Sequence, residues 1–165
     1  MGNGYVFRCE KCKREYEINL GCGFLFPDEY QKCIRAIKRN KYGIEWRRLL
    51  LQNKYNAIDA ERYLYVCRQC GYWEVNHNLS LYFPVDIEKI ENERYEKRVA
   101  ELGYLPYVMV YQLREYFALL KKFSHRCPKC CNEMKEYSDE SMIPEKLKCK
   151  KCGSDLIYES GLKWD

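Results

Sequence analysis

The chain has 165 residues, enough for one ordinary domain or two small ones, and 47% of them are apolar, so a packed core is possible. No apolar run approaches the roughly 18 residues needed to cross a bilayer, which argues against a membrane partner. The formal charge of +5 treats cysteine as neutral. Two tetrathiolate centres, each a net −2 with a divalent ion, would lower it to about +1, so global charge is a weak argument for nucleic acid.

In chain order, Tyr5-Val6-Phe7-Arg8 reads as a strand entering a Cys9-Glu10-Lys11-Cys12 turn, and Arg14 to Ile18 as a strand leaving it. Residues 28–40 read as a helix starting at Pro27 or Asp28. Tyr30, Cys33, Ile34 and Ile37 share one face, while Lys32, Arg35 and Arg39 fall opposite. Gly43 breaks this helix. Ile44, Trp46, Leu49 and Leu50 then suggest a second short one, with Arg47 and Arg48 outward. Residues 28–54 hold eight Lys/Arg against three Asp/Glu. A solvated outer face explains this excess. The sharper reading is a phosphate footprint of Lys32, Arg35, Arg39, Arg47 and Arg48, with Trp46 or Tyr42 stacking on bases.

Strand character returns at Arg62–Val66, enters Cys67-Arg68-Gln69-Cys70-Gly71 and leaves through Tyr72–Val75. Leu79–Phe83 adds a further strand. Residues 86–102 carry six acids and four bases, and a ragged stripe of Ile87, Ile90, Tyr95, Val99 and Leu102 predicts a mostly exposed helix. Val110, Leu113, Tyr116, Phe117 and Leu120 predict a better-buried helix over 107–121, although its Val and Tyr content leaves a strand open. Met134–Ser141 and Pro144–Lys148 read as hairpin arms, and Asp155–Tyr158 as a last strand.

Eleven cysteines could mean a disulfide scaffold, but eight fall into four Cys-x-x-Cys pairs and the total is odd. The stretch Met1-Gly2-Asn3-Gly4-Tyr5 shows no charged segment leading into an apolar one, so no secretory signal is expected. The expectation is a reduced, cytoplasmic chain whose paired cysteines hold metal. Between Cys127-Pro-Lys-Cys130 and Cys149-Lys-Lys-Cys152 lie 18 residues, the usual gap of a four-cysteine zinc site. Cys9, Cys12, Cys67 and Cys70 then form the other site, across a gap of 54 residues filled by the helical insertion. The alternative is a crossed arrangement, 67/70 with 127/130 and 9/12 with 149/152.

Cys127-Pro-Lys-Cys130 with Cys149-Lys-Lys-Cys152-Gly153 resembles the zinc-ribbon class of small rubredoxin-like modules. The resemblance covers about 30 residues and implies a fold element and zinc, not an activity. Cys131 departs from it, standing where such turns often carry glycine. Tyr65-Val66-Cys67-Arg68-Gln69-Cys70-Gly71-Tyr72 resembles the first knuckle of rubredoxin, which implies iron and electron transfer, but the second knuckle expected some thirty residues later is missing.

The expected architecture is α+β. Residues 1–85 form an expanded zinc-ribbon module with a helical insertion over about 28–53, 86–122 a helical linker, and 123–165 a C-terminal zinc ribbon. The expected cofactors are two Zn²⁺, with iron as the alternative. Cys22, Cys33 and Cys131 read as small buried hydrophobes rather than ligands. His77 and His125 have no partner at helical spacing, and no nucleophile elbow or phosphate-cradling glycine loop is present. The leading function is therefore an adaptor that binds a protein or nucleic acid. The alternatives are a nucleic-acid binder using the basic helices, a rubredoxin-like electron carrier, and an enzyme whose site the sequence does not locate.

Overall fold

A computed structural model describes residues 2–91, 96–138 and 147–164. It is a mixed α+β structure of small antiparallel sheets and few helices. Two compact units emerge, each assembled from separated stretches of chain. The first comprises Met1–Phe24, Glu61–Asn76 and Ser124–Asp165. The second comprises Leu25–Ala60 and His77–Phe123.

The first unit contains two three-stranded sheets. One has the order β2-β1-β9, with β1 at Gly2–Arg8, β2 at Glu15–Leu20 and β9 at Ile157–Trp164. The other has the order β5-β4-β8, with β4 at Arg62–Val66, β5 at Trp73–His77 and β8 at Lys135–Tyr137. Alternation along β1 buries Tyr5 and Phe7, and along β2 it buries Ile18 and Leu20. These side chains pack with Leu64, Trp73, Leu147 and Leu156 into one apolar cluster. On β4 the two-residue period sends Leu64 into that cluster and Tyr65 into a second, with Met134. Strand character expected around the first two cysteine turns is present. Part of the expected C-terminal hairpin, residues 139–146, lies outside the described residues.

The second unit carries the helical insertion. Helix α1 spans Phe26–Lys38, with Pro27 and the acids Asp28 and Glu29 in its first turn and Arg35 and Lys38 in its last, as the helix dipole favours. Its buried face is Phe26, Tyr30, Cys33, Ile34 and Ile37, which matches the expected stripe. Gly43, at φ 95, separates it from α2, Ile44–Leu51. Strands β3 (Ala57–Ile58), β6 (Leu81–Pro84) and β7 (Phe117–Lys121) form a sheet in the order β3-β6-β7. The acidic segment gives α3, Ile87–Ile90, capped by the Asp86 carboxylate, and α4, Glu96–Leu102. Tyr95 of the expected stripe lies outside the described residues.

The single helix expected over 107–121 does not form. Helix α5 covers only Val110–Tyr116, and the chain then enters β7. Pairing of Phe117, Ala118 and Leu119 with Pro84, Phe83 and Tyr82 gives the backbone of 117–121 a ladder that local periodicity cannot reveal.

Candidate metal centres

The four Cys-x-x-Cys segments fold into the same turn. In each, the first cysteine's N–H donates to the carbonyl five residues on: Cys9 to Arg14, Cys67 to Tyr72, Cys127 to Asn132 and Cys149 to Ser154, at 2.8–2.9 Å. The N–H four residues on donates back to that cysteine's carbonyl, from Lys13, Gly71, Cys131 and Gly153. This closure needs a left-handed residue directly after the second cysteine. Gly71 and Gly153 supply it at φ 69 and 74, whereas Lys13 and Cys131 are forced there at φ 58 and 59. Each turn sits on antiparallel arms: β1 and β2, β4 and β5, and the isolated bridges Arg126↔Glu133 and Lys148↔Asp155.

The turns converge in two foursomes. Cys9 and Cys12 meet Cys149 and Cys152. Cys67 and Cys70 meet Cys127 and Cys130. Within each group the sulfurs lie within 4.8 Å of one another. The pairing expected from spacing, Cys9, Cys12, Cys67 and Cys70 against Cys127, Cys130, Cys149 and Cys152, is therefore corrected to the crossed alternative. Strand pairing is the cause. Strand β1 leads into the first turn and pairs antiparallel with β9, which follows the fourth. Strand β4 leads into the second turn and pairs with β8, which follows the third. Spanning the 136 residues from Cys12 to Cys149, rather than the 18 from Cys130 to Cys149, costs roughly 2 kcal/mol more in chain entropy. Seven register pairs between β1 and β9, at about 1 kcal/mol per backbone hydrogen bond, outweigh that.

No protein-family model matches this chain, and no curated protein or solved structure matches it significantly. The site must be read from its own atoms.

A divalent ion about 2.3 Å from each of four sulfurs sets a tetrahedral edge of about 3.8 Å. The observed separations are 3.4 Å for Cys9–Cys152 and 3.6 Å for Cys12–Cys149. In the second group they are 3.4 Å for Cys67–Cys130, 3.5 Å for Cys70–Cys127 and 3.7 Å for Cys70–Cys130. All are far longer than a disulfide bond of about 2.05 Å, and all eleven cysteines are free. Both groups therefore have the size and donor chemistry to hold a metal ion.

Protonation within each foursome is split. At Cys9 the N–H of Cys12 lowers the thiol pKa, but burial and the sulfurs of Cys152, Cys12 and Cys149 push it up to about 11. Across from it, burial raises Cys149, yet the Tyr16 hydroxyl at 3.3 Å and the N–H groups of Cys152 and Lys151 bring it down to about 5. In the second group, Cys70 is raised to about 12 despite the Tyr72 N–H, through burial and its sulfur neighbours. The Asn132 side chain and N–H hold Cys130 at about 6. Four thiolates this close repel one another strongly, so without a cation some sulfurs keep protons that a metal would displace.

The other candidates are placed elsewhere. Cys33 is buried on α1, Cys22 is half-buried and Cys131 is exposed. His125 is buried with its ring 3.8 Å from that of Tyr65, and His77 Nδ1 meets the Ala60 carbonyl at 2.7 Å. Arg35, Arg39, Arg47 and Arg48 are exposed, and Lys32 pairs with Glu29 at 2.6 Å. Trp46 is buried, donates to the Leu79 carbonyl and packs edge-on against Phe123, so the expected base-stacking role for Trp46 is corrected to a core role. Tyr42 also packs against Phe123. Sequence reasoning missed the roles of Tyr16 and Asn132 beside the sulfurs. The Asn132 position, two residues past a knuckle's second cysteine, was the available signal.

Proposed function

We propose that both foursomes are structural Zn²⁺ sites in an adaptor protein of the reducing cytoplasm. The first would be held by Cys9, Cys12, Cys149 and Cys152, the second by Cys67, Cys70, Cys127 and Cys130. The observation that carries this reading is the pair of closed, all-sulfur tetrads. Zinc takes such a set in structural sites, and four thiolates leave no position for water or substrate. The bound ion supplies folding energy and fixes two pairs of arms that are distant in sequence. On this reading the described first unit is a nested pair of zinc-ribbon-like elements, and its surface serves recognition.

Elemental analysis tests the metal assignment. Two zinc ions per chain and a colourless protein are expected, whereas stoichiometric iron with visible absorption would favour the electron-carrier alternative. Recovery of one reproducible macromolecular partner from the native host tests the adaptor role. Turnover of a substrate abolished by a single non-cysteine substitution would overturn it.

The exposed positions of Arg35, Arg39, Arg47 and Arg48 support a second reading, in which the helical unit binds nucleic acid through phosphate contacts. Salt-dependent binding that R35Q/R39Q weakens is its test.

A further inference from the structure

We propose that a pocket in the first unit, walled by Lys129, Lys148, Lys150, Tyr72 and Trp73, binds a nucleotide unit, with its phosphate on the lysines and its base against Tyr72. This goes beyond the metal assignment and uses none of the basic residues of the helical unit.

The cavity has a volume of about 320 Å³ and lies between the two sulfur groups, bounded by Cys70 of one and Cys149 of the other. That is the lower end of the range for small-molecule sites, roughly 300–1,000 Å³, and far more than a bare phosphate fills. Both aromatic rings are anchored. Trp73 Nε1 donates to the Lys148 carbonyl at 2.7 Å, and the Tyr72 hydroxyl donates to Glu74 at 3.1 Å. Trp73 is buried in the apolar cluster, whereas the half-buried Tyr72 ring, so anchored, presents a stacking face at little entropic cost.

The cations are the second half of the argument. Lys148 is held by Asp155 at 2.6 Å. Among the described residues, Lys129 and Lys150 have no carboxylate at ion-pair distance. Their ammonium groups lie instead over ring faces, Lys129 at 5.3 Å from the Tyr72 centroid and Lys150 at 3.9 Å from that of Trp73. Both lysines are exposed, so an anion entering the cavity would take charge-assisted hydrogen bonds from them without displacing a contact ion pair. The residue after the second cysteine of two knuckles, Gly71 and Gly153, lines the same cavity, so the walls come from three separated chain segments.

Charge balance of the tetrathiolate centres is the competing explanation for these lysines. It accounts for positive charge nearby, but not for the cavity or for the anchored rings. The two explanations also predict different losses on mutation.

The experiment uses the full-length metal-loaded chain. Adenosine 5′-monophosphate and a short single-stranded oligonucleotide are titrated by calorimetry at two salt concentrations, with polyglutamate as a control anion. Binding is expected to weaken with salt, by about 0.7 log units per log unit of salt for each strand phosphate contacted. K129Q/K150Q should weaken it at least tenfold while keeping both metal ions, and Tyr72→Leu should weaken it with the salt slope unchanged. Equal affinity for monophosphate and strand would identify a free nucleotide as the ligand. Tighter strand binding would identify single-stranded nucleic acid. Three results would overturn the proposal: no binding of either probe at millimolar concentration, equal binding of polyglutamate, or metal loss in K129Q/K150Q. Binding lost in R35Q/R39Q but kept in K129Q/K150Q would move the site to the helical unit.

Discussion

Cys149→Ser separates the nested arrangement of cysteines from the one their spacing suggests. Removing Cys149 leaves Cys9, Cys12 and Cys152 as an incomplete set and should spare Cys67, Cys70, Cys127 and Cys130. A structural zinc site contributes an apparent ~10–16 kcal/mol at neutral pH, comparable to the whole stability of a domain, ~5–15 kcal/mol. Losing the first site should therefore unfold the β2-β1-β9 sheet under conditions where the native chain is intact. Tight zinc stoichiometry should fall from two to one. The discriminating comparison is between double variants. Cys9→Ser with Cys149→Ser removes two ligands of one site and should still retain one ion. Cys127→Ser with Cys149→Ser damages both sites and should retain none. The spacing-based pairing predicts the reverse for the second double variant, because it places Cys127 and Cys149 together. Scalar coupling from ¹¹³Cd to cysteine β-protons reads the pairing without mutation, and one resonance should couple to Cys9, Cys12, Cys149 and Cys152. A cadmium resonance coupled to both Cys130 and Cys149 would refute the reasoning.

A strong chelator should abolish the cooperative thermal transition and the near-ultraviolet signal of Tyr16 and Trp73, which meet edge-to-face at 5.6 Å, and added zinc should restore both. Zinc uptake at pH 7 should release protons, because the raised thiols of Cys9 and Cys70 are protonated below their pKa values and must ionise to bind. The sign follows: metal affinity falls as pH is lowered, measurable by calorimetry in buffers of different ionisation enthalpy. Cys131→Gly should raise the denaturation midpoint by the equivalent of about 1 kcal/mol, since φ 59 is strained for any residue with a Cβ. Gly71→Ala should lower it, because φ 69 is strained and the new Cβ would lie 3.3 Å from Lys148 Cγ. Trp46→Ala should cost about 3–5 kcal/mol, read from chemical denaturation, by emptying a buried site and orphaning the Leu79 carbonyl.

The helical insertion was legible because its signals are local. The period of Tyr30, Cys33, Ile34 and Ile37, Pro27 at the start and Gly43 at the break all act within a few residues of chain. The same holds for the cysteine turns. Two sulfurs three residues apart, with a left-handed residue closing the loop, form one unit whatever lies elsewhere. The boundary between α5 and β7 was not legible, since only the partner strand β6 distinguishes Phe117–Lys121 from more helix.

The sequence by itself thus determined the eight sulfurs, the four turns that present them and the strands on either side of the first two. Only the tertiary structure decided which turns share an ion, because that choice rests on β1 finding β9 and β4 finding β8. Spacing along the chain measures loop entropy, a logarithmic term of a few kcal/mol at most here. Strand registry is cooperative over many residues and larger, so the nearest cysteines in sequence are not the nearest in space.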